Sequence, residues 1–125
     1  MTKYLISKLK AHKGLTEEQL IEYGFTNNIP RFYYMFKIIS DQQCNNGNYL
    51  SESINITFEK INNYIKLDSI VFLYEKNILQ VKEYKDYFEG KVDYSMLDDY
   101  IKKGVDIAEK LLQDLIDKKI LVLEK

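Results

Sequence analysis

The segment RFYYMFKII at residues 31–39 constrains the fold more than any other stretch of this sequence. It follows Pro30, which a helix interior excludes, and it is crowded with aromatic and β-branched side chains that favour strands. Successive side chains of a strand point to opposite faces, and here both faces are apolar. The two sets are Phe32, Tyr34, Phe36 and Ile38 on one face, and Tyr33, Met35 and Ile39 on the other. The pattern predicts a central strand covered on both sides.

Three further segments of the middle third have strand-like patterns. Residues 49–59 follow Asn46-Gly47, a strong hairpin signal, and their second half alternates apolar with polar side chains. Residues 69–75 form a short apolar run, and 78–84 return from it through a turn at Lys76-Asn77.

A helical alternative exists for residues 51–66 and 69–84, because their apolar side chains also recur at helical spacing. The asparagine content and the hairpin signal favour strands. Residues 31–39 and 70–74 are apolar on both faces, as central strands are, whereas 53–59 are polar on one face and 78–84 carry polar side chains, as edge strands often do. We therefore expect the strands to lie side by side in the order 49–59, 31–39, 69–75 and 78–84.

Two short helices are predicted before the sheet. The first covers about residues 3–12, and the second begins with a capping box of Thr16 and Gln19 and ends at Gly24. A helix-turn-helix would need a recognition helix soon after Gly24, but Pro30 and the strand-like run occupy that place. We interpret both helices as structural.

A long amphipathic helix is predicted over about residues 95–118, capped by Ser95 or Asp93. Gly104 and Ala108 leave a shallow spot where this helix can approach the sheet closely. The sequence thus predicts one α+β domain over residues 1–125. It consists of two short N-terminal helices, an antiparallel sheet of about four strands (31–39, 49–59, 69–75 and 78–84), and a long C-terminal helix packed on one face.

The composition excludes several classes of function. A formal net charge of −1 suits neither a strongly basic nucleic-acid binder nor an acidic mimic of DNA. Cys44 is the single cysteine, so no internal disulfide forms and a cytoplasmic location is expected. No apolar run approaches the roughly 20 residues that cross a bilayer, so no membrane association is expected.

Catalytic and cofactor signatures are not found in the sequence. Cys44 and the single histidine, His12, are too few for a zinc site, and nothing in the sequence brings them together as a nucleophile and base. The five glycines lie too far apart for a phosphate-binding loop. We therefore expect no enzyme, no cofactor and no metal site.

Two candidate surfaces remain. Aromatic residues make up 14% of the chain, and tyrosine, the most frequent of them, is favoured at protein interfaces. The predicted interaction surface consists of Tyr33, Met35, Lys37, Tyr84, Tyr87 and Phe88. A weaker basic patch consists of Lys3, Lys8, Lys10 and Lys13.

The expected function is that of a small non-catalytic binding protein that acts through protein–protein interaction, with a homodimer as a further expectation from the doubly apolar first strand. Abundant lysine, asparagine, isoleucine and tyrosine have AT-rich codons, which indicates a low-GC bacterium or one of its phages or plasmids. An accessory protein, inhibitor or immunity protein of a phage or mobile element fits that origin. The alternative is a nucleic-acid-binding transcriptional regulator of the helix-turn-helix or winged-helix type.

Overall fold

The computed structural model describes residues 5–43, 49–76, 79–80 and 83–124. These residues adopt an α+β fold with an antiparallel sheet and a long C-terminal helix, which confirms the predicted fold class. In chain order the strands are β1 (Leu9–Ala11), β2 (Thr26–Ile29), β3 (Phe32–Gln43), β4 (Tyr49–Ile61), β5 (Tyr64–Lys76), β6 (Leu79–Gln80) and β7 (Leu121–Leu123). The helices are α1 (Glu17–Tyr23), α2 (Glu83–Phe88) and α3 (Asp99–Asp117), with 3-10 turns at Ile6–Lys8 and Tyr94–Met96.

The main sheet is a meander with its strands in the order β2-β3-β4-β5-β6, each antiparallel to the next. The predicted order, with residues 31–39 between 49–59 and 69–75, is wrong because β4 lies at the centre. Strands adjacent in sequence pair directly, since a two-residue turn at Asn62-Asn63 joins β4 to β5. Asn62 has a φ of 54°, a left-handed conformation that asparagine tolerates better than most residues.

The helical alternative for residues 51–66 is wrong, because β4 and β5 run through this segment. Residues 69–84 are not one helix either, since β5 continues to Lys76. The predicted turn at Asn46-Gly47 lies outside the described residues, as does Asn77 of the second turn.

The predicted first helix at residues 3–12 is wrong in its described part. Ile6–Lys8 forms a 3-10 turn, and β1 pairs antiparallel with β7, which places Leu9 opposite Leu123. Pairing with the chain's own C-terminal strand outweighs the local helical preference, because Leu9 is buried by this arrangement. A closing strand at 121–123 agrees with the apolar run at the C-terminus.

The second predicted helix is confirmed as α1. The Thr16 hydroxyl accepts a hydrogen bond from the Gln19 amide at 3.3 Å, and the Gln19 side chain accepts one from the Thr16 amide at 2.9 Å. These reciprocal bonds satisfy two amides that the start of a helix otherwise leaves unpaired. Gly24 ends the helix with a φ of 122°.

The predicted strand at residues 78–84 is wrong at its C-terminal end. Among its described residues Leu79–Gln80 is strand, and Glu83 begins the helix α2 (Glu83–Phe88). Tyr84, Tyr87 and Phe88 recur at helical spacing, and all three are buried. The Phe88 ring stacks on Phe72 of β5 with centroids 4.4 Å apart, so packing of this aromatic face determines the helix.

The long C-terminal helix α3 begins at Asp99, after an N-cap at Asp98, which is later than the predicted caps at Ser95 and Asp93. Its fully buried stripe is Ile101, Val105, Ala108, Leu112 and Leu115. The predicted close approach at Gly104 is confirmed, because the Glu52 side chain of β4 lies against this glycine. In the described part of the chain, no helix has both the length and the apolar character needed to cross a bilayer.

The core lies between the sheet and the helices. Ile54 and Phe58 of β4 point towards the helices and are fully buried. Phe25, just after α1, contacts Phe58 edge-on at 5.4 Å, while α2 contacts β5 through the stacked Phe88 and α3 contacts β4 at Glu52. The three described helices therefore all cover the same face of the sheet.

Candidate functional site

The opposite face of the sheet is left in contact with solvent, and we call it the open face. The strand register arranges its side chains in three rows that cross β3, β4 and β5. The rows are Tyr34-Thr57-Ser69, Phe36-Asn55-Val71 and Ile38-Ser53-Leu73. In the last two rows an apolar side chain flanks each side of a polar one.

Three of the apolar positions of the open face are exposed, and Leu73 is half-buried. Phe36 is 55% exposed, Ile38 53% and Val71 44%. A single exposed apolar side chain is ordinary in a soluble protein, but neighbouring ones on a flat face mark an interaction surface. The open face is therefore the part of the described surface whose chemistry most resembles that of an interface.

The centre of the open face is polar but uncharged. Ser53 is only 6% exposed between its apolar neighbours, and the Thr57 hydroxyl donates a hydrogen bond to the Asn55 side-chain oxygen at 3.4 Å. Charges appear only beyond the three rows, where Glu59 pairs with Arg31 at 4.0 Å and with Lys66 at 3.7 Å. The three rows themselves offer no charge for a ligand to complement.

The predicted interaction surface is not one surface in the structure. Tyr33 points into the core, is 7% exposed, and donates a hydrogen bond from its hydroxyl to Glu17 at 2.7 Å. Tyr84, Tyr87 and Phe88 are buried as well, so none of these four aromatic rings can form a flat contact with a partner in this fold. Tyr33 thus lies on the helix-facing side of β3, opposite the open face.

Met35 and Lys37 also lie on the helix-facing side of β3, at the border of a groove between α1, α3 and β3. The groove has a volume of about 630 Å³. It is lined by Gln19, Glu22, Tyr23, Met35, Lys37, Leu111, Asp114, Lys118 and Ile120. The Tyr23 hydroxyl donates to Asp114 at 2.7 Å, and burial together with this carboxylate raises the pKa of Tyr23. Two acidic and two basic side chains line the groove, so its lining favours neither an anionic nor a cationic ligand.

Glu52 on β4 is an acidic side chain in the core, and sequence reasoning missed it. It is 1% exposed, and its Oε2 atom has no hydrogen-bond partner in the described part of the protein. Gly104 of α3 makes room for this carboxyl group, because a Cβ at position 104 would overlap it. Burial raises the pKa of Glu52 to about 8, so the group is mostly neutral at pH 7.

The hydroxyl of Tyr84 is the second buried polar atom without a described partner. Burial raises the pKa of Tyr84, and the nearby Glu52 raises it further. Perturbed acids of this kind occur at catalytic sites, but a reacting group needs access to a substrate. Glu52 and Tyr84 are closed off from solvent, which favours a structural role for both.

The structure describes three of the four lysines of the predicted basic patch. Lys8, Lys10 and Lys13 are exposed, and Lys3 lies outside the described residues. Lys10 and Lys13 line a groove of about 460 Å³ together with Glu124, so an acidic side chain interrupts the positive charge. The patch therefore attracts phosphate less than its lysine content suggests.

No group of three or more histidine, cysteine or acidic side chains within the described residues is placed to hold a metal ion. The Nδ1 atom of His12 accepts a hydrogen bond from the Gly14 amide at 3.2 Å. Cys44 lies outside the described residues, so its predicted separation from His12 stays a prediction.

No family model, curated protein or solved structure matches this chain. The open face and the buried Glu52 are therefore interpreted from their own geometry.

Proposed function

We propose that this protein is a small non-catalytic binding protein that acts through protein–protein interaction, and that the open face is its binding surface. The observation that carries the proposal is the exposure of Phe36 and Ile38 on β3, and of Val71 across Asn55 from Phe36, on a sheet face that no described element covers. Such a face loses unfavourable contact with water when a partner covers it.

The chemistry of the open face supports a protein partner. The cores of protein interfaces are depleted in charge and enriched in aromatic side chains, and the three rows combine Tyr34 and Phe36 with uncharged polar groups. The partner surface is expected to be flat and apolar, with hydroxyl or amide groups near its centre.

The biological setting of the proposal comes from composition. Residues with AT-rich codons favour a low-GC bacterium or one of its phages or plasmids as the source, and the single cysteine favours the cytoplasm. An accessory protein, inhibitor or immunity protein of a phage or mobile element fits that setting. Each of these classes acts by occupying a surface of another protein.

Site-specific photo-crosslinking in bacterial cells tests the proposal. A photoreactive phenylalanine analogue replaces Phe36 on the open face, and in the control it replaces Ile21 on α1, which is similarly exposed at 51%. We expect a discrete adduct with a second protein chain, either another copy or a different protein, from position 36 and none from position 21. With that partner purified, Ile38→Lys should weaken binding at least about tenfold, or roughly 1.4 kcal/mol. No adduct from position 36, or the same adducts from both positions, would contradict the proposal.

The alternative of a nucleic-acid-binding regulator is tested by the salt dependence of binding to random DNA. Several lysines contacting phosphate would give a steep loss of affinity with rising salt. Such a loss, abolished by substituting Lys8, Lys10 and Lys13, would favour the alternative, and a flat response would count against it.

A further inference from the structure

We propose that the occupant of the open face is a second copy of this chain, in a two-fold symmetric dimer formed by packing sheet on sheet. The inference rests on the proposed function, because both use the same face. It names the partner that the pattern of side chains fits best.

The rows of the open face are complementary to themselves. A two-fold axis that runs parallel to β4 between two facing sheets places β3 of one protomer over β5 of its partner. Phe36 and Ile38 of β3 then meet Val71 and Leu73 of β5, so apolar side chains face apolar side chains on both sides of the axis. The same match is repeated by symmetry, as an isologous interface requires.

The polar side chains of β4 meet their own copies near this axis. Ser53, Asn55 and Thr57 each carry a group that both donates and accepts hydrogen bonds, so each can pair with an identical side chain. A charged side chain at these positions would face a like charge across the axis and would oppose the dimer. The uncharged centre is thus a feature that a self-complementary face needs.

The size of the open face limits the affinity of the dimer. The three long strands have 12, 13 and 13 residues, which at about 3.3 Å per residue gives a length of roughly 40 Å. At a spacing of about 4.8 Å the three strands are roughly 14 Å wide, so the full open faces of two protomers cover about 1,100 Å². Glu59, the next open-face residue of β4 after Thr57, would lie opposite its own copy, so the contact is centred on the three uncharged rows and buries less than this area. The size of the face therefore predicts a weak dimer, below the range of stable specific interfaces that begins at about 1,200 Å².

Light scattering and sedimentation equilibrium of the purified full-length chain test the inference. We expect a mass of twice 14.9 kDa at concentrations of some tens of micromolar, dissociating to a single chain on dilution. Ile38→Lys should weaken the dimer at least tenfold. Ile21→Lys is the matched control, since Ile38 and Ile21 are 53% and 51% exposed, and it should leave the dimer unchanged.

A second variant guards against misfolding of the first. Val71→Lys, on the open face of β5, should weaken the dimer as Ile38→Lys does. Circular dichroism checks that each variant is folded. A wild-type chain that stays monomeric at several hundred micromolar would overturn the inference. Equal effects of Ile38→Lys and Ile21→Lys would also overturn it.

The two proposals fail in different ways. A strict monomer that still forms an adduct with another protein from position 36 refutes the dimer and leaves the proposed function standing. A dimer disrupted by Ile38→Lys, with an adduct from position 36 only between two copies of the chain, supports both proposals, and the absence of any adduct from position 36 refutes both.

Discussion

Replacing Glu52 with glutamine should stabilise this protein by an amount that grows with pH. The wild-type carboxyl group is buried against Gly104, with one oxygen unpartnered in the described structure, so the core accepts its neutral form and disfavours its charged form. Glutamine has nearly the same shape and is neutral at every pH. The variant therefore removes the titration while keeping the packing.

The sign and size of the effect follow from the pKa of Glu52, which burial raises from 4.5 to about 8. Between these two values the folded chain holds a proton that the unfolded chain releases, so stability falls as pH rises from 4.5 to 8. One pKa unit corresponds to about 1.36 kcal/mol. The buried Glu52 therefore lowers the free energy of unfolding of the wild type by about 1 kcal/mol at pH 5, about 3 kcal/mol at pH 7 and nearly 5 kcal/mol at pH 9. Tyr84, the described titratable group nearest Glu52, has a raised pKa and stays neutral over this range.

Urea unfolding at pH 5, 7 and 9, followed by far-ultraviolet circular dichroism, measures the effect, since the chain contains no tryptophan. The free energy of unfolding of Glu52→Gln, relative to wild type, should increase by about 2 kcal/mol from pH 5 to pH 7 and by about 4 kcal/mol from pH 5 to pH 9. Glu22→Gln, at an exposed position of α1, controls for the loss of an acid and should shift stability by less than about 0.5 kcal/mol.

A difference between Glu52→Gln and wild type that stays constant from pH 5 to pH 9 would refute this reasoning. It would mean that the Glu52 carboxylate is ionised in the folded protein and stabilised there. A variant that is less stable than wild type at pH 9 would refute it as well.

Three further substitutions test the packing of the core, each measured by urea unfolding at one pH. Gly104→Ala places a methyl group on the Glu52 carboxyl and should cost about 1–3 kcal/mol, and the cost should fall by at least half when Glu52 is alanine. Thr16→Ala removes one half of the capping box and should cost about 1 kcal/mol. Leu112→Ala, fully buried in α3, should cost about 2–5 kcal/mol, whereas Ile107→Ala, 39% exposed on the same helix, should cost less than about 1 kcal/mol.

Elements defined by local signals were predictable from the sequence. The capping box at Thr16 and Gln19 defines the start of α1 without help from the rest of the fold. The three- and four-residue spacing of α3 identifies its buried face, because a helix of 19 residues repeats the pattern several times. The alternation in β4 was equally readable, since polar and apolar side chains exchange at every position.

The sheet order was not predictable, because a sequence pattern records the chemistry of a face and not what covers it. The strand at 31–39 is apolar on both faces, which suggested a central strand, yet its outer side chains Phe36 and Ile38 are exposed. Conversely, β4 has a polar face and still lies at the centre, since that face belongs to the open side of the sheet. Both errors have the same physical origin, a sheet covered on one side only.

The sequence pattern predicts that the Glu52 side chain points towards the helices, but it does not predict that the carboxyl group is buried there. It continues the inward alternation of Ile54, Ile56 and Phe58, so its side chain had to point towards the helices. An acidic side chain near the end of a strand is normally exposed to solvent, so the sequence alone did not indicate that Glu52 is buried. Its partner Gly104 was recognisable as a point of close approach, but only the fold shows that the approaching group is a carboxyl.

Stability measurements can separate the two unusual features of this protein, the buried acid and the open face. The effect of Glu52 arises within one chain, so the difference between Glu52→Gln and wild type should not change with protein concentration. An occupant of the open face that binds only the folded chain adds stability in proportion to the logarithm of its concentration. If that occupant is a second copy, the free energy of unfolding rises with the concentration of the protein itself, and Ile38→Lys removes that rise. A concentration dependence that persists in Ile38→Lys would place the contact on another face.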